Sequence, residues 1–265
     1  MRYSISYWCV SHIGNVRSVN QDNLVYNRSF LPINKEKRSE PICGKEAAKD
    51  LFILGVFDGL GGEECGEVAS YIAAKTAAEI KPKKNPALDI LAYHSLANQK
   101  ICDYAVKNSV SAMGTTAAML TFTEKKIILS NVGDSRVYRF DGDELKQLSV
   151  DHVSVSAFGM KPPLSQNLGI PPTEMIIDPY LLELPYKDND LYLICSDGLT
   201  DMVKNEEIAE ILKNELPGDA IESLLSKALK AGGRDNITII LCKIKRESIW
   251  SLFGIGKGSG KGESK

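Results

Sequence analysis

Aspartate residues recur where predicted strands begin or end. Asp58, Asp134 and Asp197 each follow a run of mainly apolar residues, and Asp235 stands just before another such run. Each has a glycine close by, which permits tight turns and the close approach of a ligand. A further aspartate, Asp22, precedes a short predicted strand. Carboxylates gathered in one place are the ligands that hard divalent cations such as Mg²⁺ and Mn²⁺ prefer.

An aspartate next to a glycine is also a common turn, and for any single one of these residues the turn is the simpler interpretation. The set as a whole favours a metal site. If the strand ends converge, unscreened carboxylates repel one another strongly, and a site that clusters them is normally held together by cations. We therefore expect a metal cluster where several strand ends meet.

The runs that carry these aspartates have the length and composition of β-strands. They occupy Tyr3–Val10, Leu51–Phe57, Thr115–Thr123, Ile127–Asn131, Val137–Phe140, Met175–Leu184, Leu191–Cys195 and Ile237–Ile244. Asp141 and Gly142, between Val137–Phe140 and Leu145–Leu148, predict the turn of an antiparallel hairpin. The chain is therefore expected to be rich in antiparallel sheet.

Helical spacing appears in the gaps between the strand groups. Apolar residues recur every three or four positions over Ile90–Tyr104, and Val68–Ile80 is rich in alanine. A helix around Ile221–Ala228 is predicted to open with Asp219 and Glu222 as a capping pair and to close at two glycines. The predicted fold class is α+β, with helices packed on the outside of antiparallel sheets.

A single domain is expected to span residues 1–247. No break in composition divides it, although Asn27–Asp50 is polar, contains two prolines and is expected to form a surface loop. Residues 248–265 turn to Gly, Lys and Ser from Gly254 onward, and we expect this tail to be disordered.

Bulk composition disfavours several classes of protein. The formal charge of -2 gives no general attraction to nucleic acid or to an anionic membrane. The longest apolar run, Leu51–Phe57, is far shorter than the ~20 residues of a membrane-spanning helix. The first residues alternate as a strand does, unlike an export signal. Six cysteines without a C-x-x-C pair fit neither a zinc site nor a disulfide framework, so we expect a cytoplasmic protein.

Seven short motifs occur in a fixed order along the chain. They are Arg17-Ser-Val-Asn-Gln-Asp22, Val56-Phe-Asp-Gly-Leu-Gly-Gly62, Gly114-Thr-Thr116, Asn131-Val-Gly-Asp-Ser-Arg136, Leu148-Ser-Val-Asp-His152, Cys195-Ser-Asp-Gly-Leu199 and Gly233-Arg-Asp-Asn-Ile-Thr238. In order and spacing the chain resembles the metal-dependent (type 2C) protein phosphatases, the bacterial members above all. The resemblance implies a four-layer α-β-β-α sandwich, with two antiparallel sheets flanked by helices and metals in a channel at one edge.

The resemblance also implies roles for individual residues. By motif position, Asp58 bridges two cations, the carbonyl of Gly59 binds one of them, and Asp197 and Asp235 bind the other. Asp134, together with Asp197, matches the position of a third cation in bacterial relatives. The implied cofactors are Mn²⁺ or Mg²⁺, with two core ions and a third, weaker one.

Other residues surround the implied metals. Gln21, Asp22 and Asn236 are expected to support the site from outside the metal shell, the first two through hydrogen bonds to metal-bound waters. By motif position, Arg17 matches the phosphate-binding residue of the family. A guanidinium suits this role because it can hold two phosphate oxygens. The alternative is that Arg17 forms a surface ion pair. Gln21 stands where many members have glutamate. Leu60 stands where some have histidine, and it cannot donate a proton to the leaving group.

The activity that the resemblance implies is removal of phosphate from serine and threonine residues of proteins, through a hydroxide held between two metals. The implied partners are phosphoproteins, the substrates of a serine/threonine kinase, and we expect a monomer. Two alternatives stay open. One is a phosphoprotein-binding module with weak catalysis, which missing metal ligands would favour, and the other is a phosphatase of small phosphoesters.

The segment before Leu164 leads to a prediction about substrate choice. Bacterial relatives usually have a long mobile flap there, whereas this chain has only Val153–Pro163, in which Gly159, Pro162 and Pro163 favour an open loop. An open channel makes fewer contacts with the residues that flank a phosphorylated serine or threonine. Across a panel of phosphopeptides with varied flanks, kcat/KM should differ by less than ~100-fold. A wider spread would show that the short loop reads sequence.

Overall fold

Two six-stranded sheets form the centre of the structure. The structure is a computed structural model, and it describes residues 2–33, 37–48, 51–60, 65–81, 85–155 and 161–247. Neighbouring strands are antiparallel in both sheets. In spatial order, the first sheet contains Leu145–Gln147 (β11), Arg136–Phe140 (β10), Leu191–Cys195 (β13), Ile237–Arg246 (β14), Tyr3–His12 (β1) and Ile42–Ala47 (β4).

The second sheet and the helices complete the layers. In spatial order, the second sheet contains Tyr180–Leu184 (β12), Ile127–Val132 (β9), Ala117–Phe122 (β8), Phe52–Phe57 (β5), Asn23–Tyr26 (β2) and Ser29–Phe30 (β3). A small ribbon pairs Gly59–Leu60 (β6) with Gly114–Thr115 (β7). The helices are Gly66–Ala78 (α1), Pro86–Asn108 (α2), Asp197–Thr200 (α3), Asn205–Asn214 (α4) and Pro217–Lys230 (α5).

Apolar side chains fill the three spaces between these layers. Leu54 and Ile240 belong to the cluster between the two sheets. Met119 packs with α1 and α2 on the outer face of the second sheet, and Leu241 packs with α3, α4 and α5 on the outer face of the first. Central strands such as β5 are buried on both faces, which explains why they read as nearly continuous apolar runs. The predicted four-layer α-β-β-α sandwich is confirmed.

The helix predicted around Ile221–Ala228 begins earlier than its expected cap. It starts at Pro217, because proline has the backbone angle of a first helical turn and lacks the N–H that would go unsatisfied there. Asp219 therefore lies inside the first turn, and the predicted capping pair with Glu222 is wrong. The helix ends before Gly232 and Gly233, which take positive φ angles as predicted.

Three further expectations about the elements need correction. Asn27–Asp50 is not simply a surface loop, because its described part contains β3 and the edge strand β4, which pairs with β1. The run Met175–Leu184 is a strand only from Tyr180, after Pro179, which has no N–H to donate to a neighbouring strand. Helix α4 was not predicted, although Ile208 and Leu212 lie one turn apart on its buried face.

Two expectations concern other parts of the chain. Among the helices that the structure describes, none is long and apolar enough to cross a membrane. The tail predicted at 248–265 lies outside the described residues.

Candidate active site

The strand ends that carry the aspartates meet at one edge of the sandwich. Asp58 and Asp134 come from the second sheet, and Asp197 and Asp235 come from the first. All four line a single cavity of about 370 Å³. Among the described residues, the lining consists of Arg17, Gln21, Asp58, Gly59, Leu60, Asp134, Lys161, Pro162, Leu164, Asp197 and Asp235. The predicted convergence of carboxylates is therefore present in the fold.

The Gly-Thr-Thr motif fixes the backbone of Asp58. The N–H of Asp58 donates to Oγ1 of Thr116 over 3.0 Å, and its carbonyl accepts from the Thr116 N–H and from Oγ1 of Thr115, both over 2.9 Å. The Thr116 hydroxyl also pairs with that of Ser135 over 2.7 Å. Asp58 thus leaves strand β5 in a fixed direction, with its side chain toward the cavity.

Glycine is required beside Asp58 because two backbones approach there. A Cβ on Gly59 would lie 2.3 Å from the carbonyl oxygen of Gly66 and 2.4 Å from that of Gln21. The Gln21 carbonyl also accepts from the Ser70 hydroxyl over 2.5 Å. The start of α1 is therefore packed directly against the Asp-Gly turn, and any side chain at Gly59 would push the two apart.

A histidine holds the turn that presents Asp134. Gly133 takes a φ of +96°, a region that suits glycine, and its N–H donates to Nδ1 of His152 over 3.2 Å. The backbone N–H of His152 donates back to the Gly133 carbonyl over 3.0 Å. The contact of His152 with the turn shows how a residue outside the cavity positions one inside it.

A buried network of hydroxyl groups begins at Ser196, the residue before Asp197. Oδ2 of Asp22 accepts from the hydroxyls of Ser196 over 2.8 Å and Thr238 over 2.7 Å. Oγ of Ser196 in turn accepts from the Thr238 N–H over 3.0 Å, which ties the start of α3 to β14. Asp22 itself is buried and does not line the cavity. Its expected contact with metal-bound waters stays a prediction.

Asn236 holds the loop that carries Arg17. Its amide donates to the carbonyls of Ile13 and Val19 over 2.9 and 3.0 Å, and its Oδ1 accepts from the Gln21 N–H over 2.8 Å. One buried side chain thus fixes both ends of that loop. The role expected for Asn236, support from outside the metal shell, fits these contacts.

Arg17 forms a two-point ion pair with Asp235 at the rim of the cavity. Nε donates to Oδ1 over 2.9 Å and Nη2 to Oδ2 over 2.7 Å. The Arg17 side chain is half exposed. This is the ion pair that the sequence left as an alternative, but its partner is a proposed metal ligand. The pair therefore lies in the site, beside the other carboxylates.

The carboxylates disturb one another's ionisation. Burial, and then the neighbouring charges of Asp22, Asp197, Asp134 and Asp235, raise the pKa of Asp58 well above its ordinary value. Burial and Asp197 raise the pKa of Asp134 to about 6, against the opposing effect of Lys161. Burial raises the pKa of Asp22 to about 7, although its hydroxyl donors oppose the shift. The site therefore favours positive charge.

Two side-chain cations already supply part of the positive charge that the carboxylates favour. Arg17 pairs with Asp235, and Lys161 pairs with Asp197. As the side chains stand, no three His, Cys, Asp or Glu residues among the described ranges surround a single point as a metal ion requires. A metal ion at this site would have to take Asp197 and Asp235 away from these partners.

Comparison with known proteins identifies the family. A family model described as Protein phosphatase 2C matches residues 33–157 of this chain. The serine/threonine phosphatase Stp of Listeria innocua is 30% identical over 212 residues, which cover 71% of this chain and 83% of Stp. The chain belongs to the protein phosphatase 2C family. The protein phosphatase PhpP of Streptococcus pneumoniae is also 30% identical, over 76% of this chain and 88% of PhpP.

Solved structures agree with this assignment. The catalytic domain of the serine/threonine protein phosphatase PstP in complex with two manganese ions has a TM-score of 0.72 and is 25% identical, covering 92% of this chain and 100% of that domain. The chain described here, as a member of the protein phosphatase 2C family, is a metal-dependent protein phosphatase. The family, the fold class and the enzyme class predicted from the sequence are confirmed.

The sequence did not single out every residue of the protein phosphatase 2C site. Lys161 and its partner Asp201 were not predicted. Asp201 lies four residues after Asp197, as the residue that caps the end of helix α3, and Lys161 contacts both carboxylates. Lys161 could have been noticed as the one basic residue of Val153–Pro163. Basic residues are common in loops, so that signal is weak.

The segment before Leu164 contributes residues to the cavity. Residues 156–160 lie outside the described residues, but Val153 pairs with Leu164, and Lys161 and Pro162 line the cavity. Residues 161–163 are exposed and form no helix, in agreement with the predicted loop, but the contact of Lys161 with the carboxylates was not predicted. Low selectivity toward flanking sequence stays a prediction.

The raised pKa values make the stability of this protein phosphatase 2C member depend on pH. Between the ordinary aspartate pKa of 3.8 and the value of about 7 at Asp22, the folded chain binds more protons than the unfolded chain. Stability should therefore fall as pH rises through this window. In chelator, we expect the unfolding temperature to drop by at least ~3 °C from pH 5 to pH 8, and Mn²⁺ should remove most of the drop.

Two variants sharpen this measurement by scanning calorimetry. Asp58→Asn removes the strongly perturbed carboxylate and should flatten the decline in chelator. Glu144→Gln removes an exposed carboxylate and should leave the decline as in the wild type. An unfolding temperature that stays level or rises from pH 5 to pH 8 in metal-free wild type would contradict the proposed repulsion.

Proposed function

We propose that this chain hydrolyses phosphoserine and phosphothreonine esters in proteins, at divalent cations held by Asp58, Asp134, Asp197 and Asp235. The observation that carries the proposal is the convergence of these four carboxylates on one cavity with Arg17 at its rim. Stp and PstP are serine/threonine phosphatases by description and PhpP is a protein phosphatase, and these descriptions support the same substrate class here.

The donors in the cavity suit Mn²⁺ or Mg²⁺. They are carboxylate oxygens and the Gly59 carbonyl, and hard cations take oxygen ligands. Oδ1 of Asp197 is buried and has no hydrogen-bond partner among the described residues, so an acceptor is left over in this part of the site. We propose that two core ions would share Asp58, and that Gly59 would be a further ligand of one of them and Asp197 and Asp235 of the other. Asp134 and Asp197 would hold a third, weaker ion.

The chemistry that bound cations supply is a lowered pKa of water, which provides hydroxide near neutral pH. The chain's own residues orient the substrate. Arg17 already presents two parallel N–H donors, and the spacing that fits Asp235 also fits two phosphate oxygens. The substrate phosphate and Asp235 therefore compete for the same donors. Leu60 contributes an apolar wall to the cavity and no proton.

We propose that Gln21 and Asn236 contribute to the site by holding other groups in position and not by binding a metal ion. Gln21 lines the cavity, its backbone N–H donates to Asn236, and its backbone carbonyl accepts from Ser70 and lies against Gly59. Its amide side chain therefore stays beside Gly66. A neutral amide in place of a carboxylate leaves one negative charge fewer near the ions. We propose that Gln21 hydrogen-bonds to water in the metal shell, as the resemblance implies.

The two alternatives are less well supported. A binding module that had lost catalysis would be expected to lack some ligands, whereas all four aspartates line the cavity. A phosphatase of small phosphoesters would share this site, and only the substrate class of the relatives argues against it. Turnover of a phosphopeptide compared with that of small phosphorylated metabolites separates the two enzymes.

The cellular setting is also a proposal. We propose that the substrates are proteins phosphorylated by a serine/threonine kinase and that the chain acts as a cytoplasmic monomer. The six cysteines, dispersed and unpaired by disulfides, support a reducing compartment. The formal charge of -2 supports proteins over nucleic acids as partners.

Neutralising single site carboxylates should abolish activity. We expect Asp58→Asn and Asp197→Asn each to lower kcat/KM by at least ~100-fold in a Mn²⁺-dependent phosphopeptide assay, because each removes a ligand of the ions that generate the nucleophile. Asp141→Asn is the matched control, since Asp141 also precedes a glycine in a turn after a strand but lies outside the cavity. Near-normal rates for the site variants at saturating Mn²⁺ would contradict the assignment.

A further inference from the structure

Lys161 reaches into the carboxylate cluster from the segment before Leu164. Its ammonium contacts the Asp197 carboxylate, lies 2.9 Å from Oδ2 of Asp201 and lies 3.9 Å from Oδ2 of Asp134. The Asp134 and Asp197 side chains are only 11% and 13% exposed, whereas that of Lys161 is 52% exposed. The charged end of a solvated side chain therefore contacts one carboxylate that is largely removed from water, Asp197, and lies near a second, Asp134.

These contacts differ from an ordinary surface ion pair. An exposed pair contributes little to stability, because water screens both charges. Here one ammonium faces three carboxylates, and two of them also face the other acidic groups of the site. One positive charge thus offsets part of the repulsion among these carboxylates.

The local backbone favours this placement of Lys161. Pro162 and Pro163 follow it directly, and prolines restrict the chain. The carbonyl of Pro163 accepts from the Ser154 N–H over 2.8 Å, and the Ser165 N–H donates to the His152 carbonyl over 2.9 Å. The segment is therefore attached to the same histidine that holds the Asp134 turn.

The ammonium lies between the two carboxylates that we propose for the third cation. We infer that Lys161 is a built-in counter-ion that occupies the place of the third divalent cation, so that a third ion binds only by displacing it. This inference rests on the proposed function and adds a residue-level cause for the weakness of the third site. The core ions also compete with Lys161 for Asp197, but they keep Asp58, Gly59 and Asp235 as further ligands, so we expect the competition to affect them less.

Calorimetric titration of the chelator-treated full chain with Mn²⁺ tests the inference. The wild type should bind two ions tightly and a third weakly. Lys161→Ala and Lys161→Gln should tighten the third site by ~10-fold or more, because no ammonium competes for Asp134 and Asp197. Lys161→Arg keeps the charge and should leave the third site weak. Lys146→Ala, which removes an exposed lysine of β11, should match the wild type.

Thermal unfolding provides a second measurement. Without metal, Lys161→Ala leaves carboxylates uncompensated, so its unfolding temperature should be below that of the wild type. In millimolar Mn²⁺, its gain in unfolding temperature should exceed that of the wild type, because it binds one more ion firmly. Lys146→Ala should show neither change.

The outcomes separate the two levels of the account. If two ions bind tightly to the wild type and the third site is equally weak in Lys161→Ala, Lys161→Gln and the wild type, the counter-ion role is overturned and the proposed function stands. Tightening in Lys146→Ala as well would also overturn it, since any lost positive charge would then have the same effect. If the wild type binds no Mn²⁺ at all, the proposed metal-dependent site fails, and the inference fails with it.

Discussion

Mutual repulsion among carboxylates at one edge of the sandwich is the constraint on which the rest of the structure depends. Asp58 feels four other acidic groups, and burial removes the water that would screen them. Without positive charge, folding would have to bring these groups together at a cost in free energy. Arg17 and Lys161 meet part of that demand, and divalent cations are proposed to meet the rest.

The framework around the cavity is built to hold the carboxylates in place against this repulsion. Thr116 and Ser135 fix the backbone of Asp58 from the second sheet. Asn236 fixes the loop of Arg17 from the first sheet. Each supporting side chain is buried and stands at or next to the end of a strand, and the strands themselves are fixed by the apolar core between the sheets. A rigid fold thus stabilises an arrangement of charges that is unfavourable by itself.

Much of this architecture could be predicted from the sequence, because the buried strands carry long apolar runs and the aspartates stand at their ends. The edge strand β4 could not, since Ile42, Lys45 and Glu46 alternate without the apolar composition of a central strand. The start of α5 at Pro217 was missed because the Asp219 and Glu222 spacing also fits a cap.

The candidate site divides in the same way. The cavity aspartates and Arg17 were predicted from their types and motifs, and the structure brings them together. Lys161 was not predicted, because its position depends on how a short loop folds back toward the site, which no local pattern encodes. The hydrogen bonds of Asn236 to Ile13 and Val19 likewise join residues more than 200 positions apart.

The central claim is that cations bind between these carboxylates, and a crystal structure with Mn²⁺ tests it most directly. Anomalous scattering should show ions within ~2.2 Å of carboxylate oxygens of Asp58, Asp197 and Asp235, with Asp235 turned away from Arg17. The account would be contradicted by a catalytically active crystal form whose Mn²⁺ ions lie elsewhere, or by the absence of ions beside Asp58 at saturating Mn²⁺.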